Sequence, residues 1–173
     1  MTVSKAYIME TFPLINKITD SHIREGVINT FCAVAEKGGW DTFEGIPFTL
    51  LTETDVSLVD HINAVTTMAM KVAQVMQDFV PINMDHIIAG GLLHDVGKLL
   101  EYERKGNLIQ KCRYGELLRH PVSGVIVAAE AGLPPEILHL IIAHSKEGDA
   151  VKRTHEAIIL HHCDFIHFEN IKS

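Results

Sequence analysis

Residues Gly91–Tyr102 read GLLHDVGKLLEY, and the reading of this stretch decides the rest. A histidine and an aspartate, His94 and Asp95, stand side by side between the apolar pairs Leu92-Leu93 and Leu99-Leu100. The apolar spacing predicts a helix from Ile87 to about Leu100, opened by Asn83 or Asp85. Neighbouring residues on a helix point about 100° apart. His94 and Asp95 can therefore serve one centre only near a helix end or bend, or with Asp95 stretching between two centres. Lys98 follows His94 by four residues and Asp95 by three, so it faces the same side. Gly97 allows close approach of backbone or substrate, or serves packing alone.

Outward from this stretch the periodicity is helical almost throughout. It predicts helices over about Tyr7–Ile18 and Ile23–Glu36, the second closed by Gly38-Gly39. A segment without a helical stripe, about Gly39 to Asp55, reads either as a lid or pocket wall or as a connection packing Trp40, Phe43 and Phe48 onto the core. Asp55 is the expected N-cap of a long helix to about Val80, with the stripe Val59, Ile62, Val65, Ala69, Val72, Met76 and Phe79. Glu101 to Leu118 predicts a turn at Gly106-Asn107 and a short hairpin near 102–115. Further helices are expected at about Pro121–Ala131, Glu136–Ser145 and Thr154–Glu169. The fold class is all-α: a bundle of about six to eight helices. At 173 residues one domain, 1–173, is expected, enough to bury roughly 70% of its unfolded surface.

The 15 basic and 22 acidic residues give a formal charge of −7. That argues against broad, sequence-independent binding to nucleic acid or an anionic membrane, which needs a basic surface. A small phosphorylated substrate remains compatible, because a bound metal can dominate the local field. No apolar run approaches the roughly 18–20 residues of a membrane span. The amino terminus does not read as a secretion signal. Three scattered cysteines, Cys32, Cys112 and Cys163, read as reduced thiols, and a cytoplasmic location is expected.

Histidine is over-represented, with eleven in the chain. His61, His94-Asp95, His120, His144 and Asp164 each fall where a core stripe would otherwise continue. Burying several imidazoles and two carboxylates costs several kcal/mol each unless they are paired, hydrogen-bonded or metal-bound. Divalent cations meet this cost collectively, and mixed imidazole and carboxylate ligands suit iron, manganese, cobalt or zinc over calcium.

The ordered set His61, His94-Asp95 and Asp164 resembles the H…HD…D signature of HD-domain metal-dependent phosphohydrolases, and GLLHDVGK is similar to that family's apolar-HD-apolar-G-K core. The resemblance covers about Val56–Glu169 and implies an HD core there. The helices of residues 1–38 would pack on it and 39–55 would form a loop. It also implies a ligand set. His61, His94 and Asp164 would hold a first metal, His120 and His144 a second, and Asp95 would bridge. Spacings of 33, 26, 24 and 20 residues between successive members each allow one helix and one turn. In a one-metal version His120 and His144 line the pocket instead. His161 is the alternative to Asp164, and His22, His86, His139, His155 and His167 have no place in the scheme. The implied cofactors are two divalent ions, iron or manganese first, with cobalt, nickel, zinc or magnesium as alternatives.

The function implied is hydrolysis of a phosphomonoester or phosphodiester of a small, nucleotide-like substrate by metal-activated water. Asp95 and Lys98 are the expected catalytic residues, Asp95 as proton acceptor and Lys98 on a substrate phosphate. Arg119, Lys146 and Arg153 could add phosphate contacts. One rival is a di-iron oxygenase of the same scaffold, cleaving a C–C or C–P bond; the short interval from His144 to Asp164 is more similar to the hydrolases. A second rival is a non-catalytic sensor or scaffold. The first two helices could also support a homodimer.

Overall fold

The computed structural model describes residues 3–172. Helix α1 (Lys5–Thr11) starts at Ser4, whose hydroxyl accepts the Tyr7 N–H. The sequence predicts one helix on to Ile18, but Pro13 disfavours helical backbone at the residue before it. Phe12 accordingly leaves the helical region, and a 3-10 turn, Pro13–Lys17, follows. Helix α2 (Ser21–Gly38) is capped by Asp20 and stopped by Gly39 in the left-handed conformation, φ 72°.

Helix α3 (Leu58–Met76) begins two residues later than expected. Ser57, not Asp55, is its N-cap, accepting the Asp60 N–H while its own hydroxyl donates to the Asp60 carboxylate. Its buried face is Leu58, His61, Ile62, Val65, Ala69 and Ala73. Val72, read as a stripe residue, is exposed; Phe79 is exposed too, because the helix ends at Met76 and not near Val80. Packing against two neighbours, α4 and α9, rotates the buried arc off the simple stripe.

Helix α4 (Met84–Leu93) is capped by Asn83, and it ends at His94. The predicted helix of 87–100 is thus two pieces, α4 and the single turn α5 (Lys98–Glu101), joined by the tight turn His94–Gly97. Bonds of the i to i+3 type, Val96 N–H to Leu93 O and Lys98 N–H to Asp95 O, close it. The predicted hairpin is β1 (Tyr102–Lys105) with β2 (Leu108–Lys111), antiparallel, with Tyr102 opposite Lys111 and Gly106 at φ 62°. Then come α6 (Arg113–Leu117), α7 (His120–Glu130), α8 (Pro135–Ala143), a 3-10 turn (Lys146–Ala150) and α9 (His155–Lys172).

The fold is all-helical apart from this hairpin. Helix α4 lies central, against α2, α3, α8 and α9, and α2 also touches α5 and α7. One hydrophobic cluster runs from Ile8, Phe12 and Phe31 near the amino terminus through Leu92 and Leu93 to Leu160. Trp40, Phe43 and Phe48 of the segment after α2 are all buried, and the Trp40 indole donates to Leu99 O at 2.6 Å. Among the described residues no helix is long and apolar enough to cross a membrane.

Asp85, in the first turn of α4, accepts the Thr19 N–H (2.9 Å), the Thr19 hydroxyl (2.8 Å) and the Asp20 N–H (2.8 Å), tying α4 to the entry of α2. Burial opposes ionisation of Asp85, but the Thr19 and Asp20 donors outweigh it and lower its pKa. A lowered folded pKa contributes stability above the unfolded value of about 3.9, which is lost as pH falls below it. Asp85→Asn is expected to cost about 1–3 kcal/mol at pH 7. In urea melts its gap from the wild type should close as pH drops below about 4.

Candidate metal centre

Five helices deliver the centre. His61 sits in the first turn of α3, His94 and Asp95 in the turn after α4, His120 at the start of α7, His144 just past α8 and Asp164 within α9. The two oxygens of Asp95 face different partners. Oδ2 lies 3.1 Å from His61 Nε2 and 3.5 Å from His94 Nε2. Oδ1 lies 3.2 Å from His120 Nε2 and 3.7 Å from His144 Nε2. Asp164 Oδ1 joins the first group, 3.2 Å from His61 Nε2 and 3.7 Å from His94 Nε2. The nearest atoms of His61, His94 and Asp95 fall within 4.8 Å of one another, as do those of Asp95, His120 and His144.

The outer nitrogens are all engaged. His94 and His144 donate Nδ1–H to the carbonyls of Gly91 (2.6 Å) and Ile141 (2.7 Å), each three residues back in its own helix. His120 donates Nδ1–H to Glu101 Oε2 at 3.0 Å, and His61 Nδ1 pairs with His167 Nδ1 at 3.0 Å. With Nδ1 protonated, a neutral imidazole presents a lone pair at Nε2. These lone pairs converge on carboxylate oxygens, which also only accept, and His61 Nε2 lies 3.1 Å from His94 Nε2. A buried set of facing acceptors is costly without a cation, and imidazole nitrogen with carboxylate oxygen is a donor set for a divalent transition metal. The residues fit such an ion.

Electrostatics agree with this geometry at His94 and His120. Burial holds His94 neutral, pushing its imidazolium down to about 3. Burial also lowers His120. His61 goes the other way: burial disfavours its charge, but Asp164 and Asp95 outweigh it and raise its pKa. Burial opposes charge on Asp95, yet the Lys98 ammonium beside it holds it well below the usual carboxylate range. Lys98 Nζ lies 2.6 Å from Asp95 Oδ2 and donates to Phe48 O, also at 2.6 Å. Phe48 stacks on His61, ring centroids 4.9 Å apart, so the segment after α2 both packs on the core and walls the centre.

The structure thus brings together His61, His94, Asp95, Lys98, His120, His144 and Asp164. Asp164, rather than His161, faces His61 and His94; His161 donates its Nδ1–H to the His144 carbonyl at 2.7 Å. Arg153 is occupied elsewhere, by Ala143 O, Ser145 O and Asp149, and Arg119 pairs with Glu147. Of the histidines outside the motif, His22 meets Gly132 O and His139 accepts the Thr154 N–H. His167 also lies outside the motif, yet it touches His61. Its place three residues after Asp164, on one face of α9, is the signal in the sequence. Glu101 is a second residue that the motif does not single out. An acidic residue closing the apolar run LLEY is nevertheless a sign of a buried carboxylate with a partner.

The HD-domain family matches residues 58–169. The chain belongs to the HD-domain family. The matched part of this HD domain begins at α3 and contains every residue of the centre. A dihydroneopterin 2′,3′-cyclic phosphate phosphodiesterase of Methanocaldococcus jannaschii is 31% identical over 112 residues, 62% of this chain and 44% of that protein. Ribonuclease Y of Desulforudis audaxviator is 38% identical over 76 residues, 44% of this chain and 12% of that protein. The chain therefore spans less than half the length of these relatives. No solved structure gives a significant match.

Gly97 is fixed by contact. A Cβ there would lie 2.1 Å from His120 O and 2.6 Å from Ser123 Oγ. Gly97→Ala must push α7, and His120 with it, off the turn. The expected cost is about 1–3 kcal/mol or more, read as a lower midpoint in thermal denaturation.

Proposed function

We propose that this HD domain is a metal-dependent phosphodiesterase acting on a small, nucleotide-like phosphate ester. The observation that carries the reading is the division of Asp95, with Oδ2 toward His61 and His94, and Oδ1 toward His120 and His144. A single carboxylate shared in this way suits two ions, and iron or manganese matches the donor set best. The phosphodiesterase among the relatives supports diester hydrolysis, and its cyclic phosphate suggests the first substrates to try. Bound divalent ions would supply a water activated near neutral pH and positive charge for the phosphoryl oxygens.

The chain's own groups have the following roles. His61, His94 and Asp164 form one ligand group, His120 and His144 the other, and Asp95 belongs to both. An Asp95 oxygen accepts the proton of the attacking water. Lys98 Nζ reaches a phosphoryl oxygen and stabilises charge as it develops there. Phe48 keeps bulk water from the His61 side. The amino-terminal helices and the HD core act as one unit.

Protein purified without added metal is expected to carry iron or manganese by elemental analysis. It should release product from 2′,3′-cyclic nucleotides or related diesters with Mn(II) or Fe(II), and lose activity in a chelator. Asp95→Ala should lose metal from both groups and drop activity by at least about 10²–10³-fold. Full activity in Asp95→Ala would end the reading. Oxygen uptake by ferrous protein without phosphate-ester cleavage would replace it with the oxygenase.

A further inference from the structure

The four imidazoles of the centre are not held alike. His94 and His144 donate to backbone carbonyls, and His61 meets another imidazole. Among the described residues, His120 is the one of the four whose Nδ1 meets a carboxylate. Glu101 Oε2 takes both the His120 ring N–H (3.0 Å) and its backbone N–H (2.9 Å), while Oε1 takes Lys111 Nζ at 2.7 Å.

The surroundings are built around this carboxylate. Glu101 ends α5 and is only 6% exposed, a burial its three donors make tolerable. Gly115 of α6 packs directly over it. A Cβ on Gly115 would lie 2.4 Å from Glu101 O and 2.6 Å from its Cγ. The strand that carries Lys111 is fastened at the same place, through Cys112 N–H to Glu101 O at 3.0 Å.

We propose that Glu101 is a positioning residue that sets the metal affinity of the His120–His144–Asp95 group, with Lys111 on β2 as its counterweight. The inference rests on the reading of the centre as a metal site. A carboxylate behind a ligating imidazole fixes its tautomer and orientation and raises the basicity of the opposite nitrogen. Here the opposite nitrogen is His120 Nε2, which faces Asp95 Oδ1. His120 becomes the most strongly donating imidazole of the four, so the two groups bind their ions unequally. Lys111 withdraws charge from Glu101 and tempers the effect, which links the hairpin to one half of the centre.

The test is calorimetric titration of chelator-stripped protein with Mn(II), with metal content checked by elemental analysis. Glu101→Gln keeps the volume and removes the charge. It is expected to weaken one Mn(II) site by about 10–100-fold and leave the other near its wild-type affinity. Lys111→Gln, at a side chain 40% exposed, should tighten that same site severalfold. Lys105→Gln, which removes an equal charge from the hairpin tip, should change neither site. A purely structural Glu101 would move both sites together, or neither, and give no opposite sign in Lys111→Gln. Wild-type affinities in Glu101→Gln, or unchanged or weaker binding in Lys111→Gln, would overturn the inference alone. If Glu101→Gln fails to fold, Lys111→Gln decides. Wild-type protein that binds no Mn(II) would overturn the metal reading and this inference together.

Discussion

A buried carboxylate with both oxygens in demand is the constraint on which this fold turns. Asp95 is 2% exposed, yet it is approached by imidazoles from α3, α7 and α8, by its own neighbour His94 and by the ammonium of Lys98. Each approach requires a helix to end, start or pass at the right depth. Helix α4 must stop at His94 so that the chain can turn both side chains inward. The turn must be tight, and α7 must begin directly on it, which leaves no room for a side chain at Gly97. The apolar cluster supplies the driving force for collapse, and the buried polar groups of the centre are tolerable only where they meet one another.

Much of this arrangement is legible in the amino-acid sequence, for a physical reason. Periodicity and caps are local, so α2, α7, α8, α9, the start of α4 and the Gly106-Asn107 turn fall close to where residue spacing puts them. The His94-Asp95 pair is informative because adjacent side chains on an unbroken helix cannot converge on one centre, which leaves a helix end, a bend or a shared Asp95. The spacing still runs one helix to Leu100, and the structure breaks it at His94. The centre is legible because several ionisable residues, each costly to bury alone, recur at intervals of a helix and a turn.

What escapes the sequence depends on tertiary position, with one exception. The break at Phe12 follows from a local proline effect that the apolar spacing masks. The exposure of Val72 depends on how α4 and α9 together cover α3, which no single helix encodes. Glu101 and His167 stand behind His120 and His61, and nothing in their own surroundings states which imidazole each will meet. Phe48 lies in a segment without periodicity, and its stacking on His61 becomes visible only once the chain after α2 is placed.

The position of Lys98 has a further consequence. Its ammonium spans the Asp95 carboxylate and the Phe48 carbonyl, so the wall beside the centre is fastened through the same cation that neutralises the acid within it. A ligand that draws Lys98 toward itself takes a hydrogen bond from that wall at the same moment. Any coupling between the Phe48 carbonyl and recruitment of Lys98 is therefore reciprocal, of one size read from either end. The wall beside the centre and the charge inside it thus share one side chain.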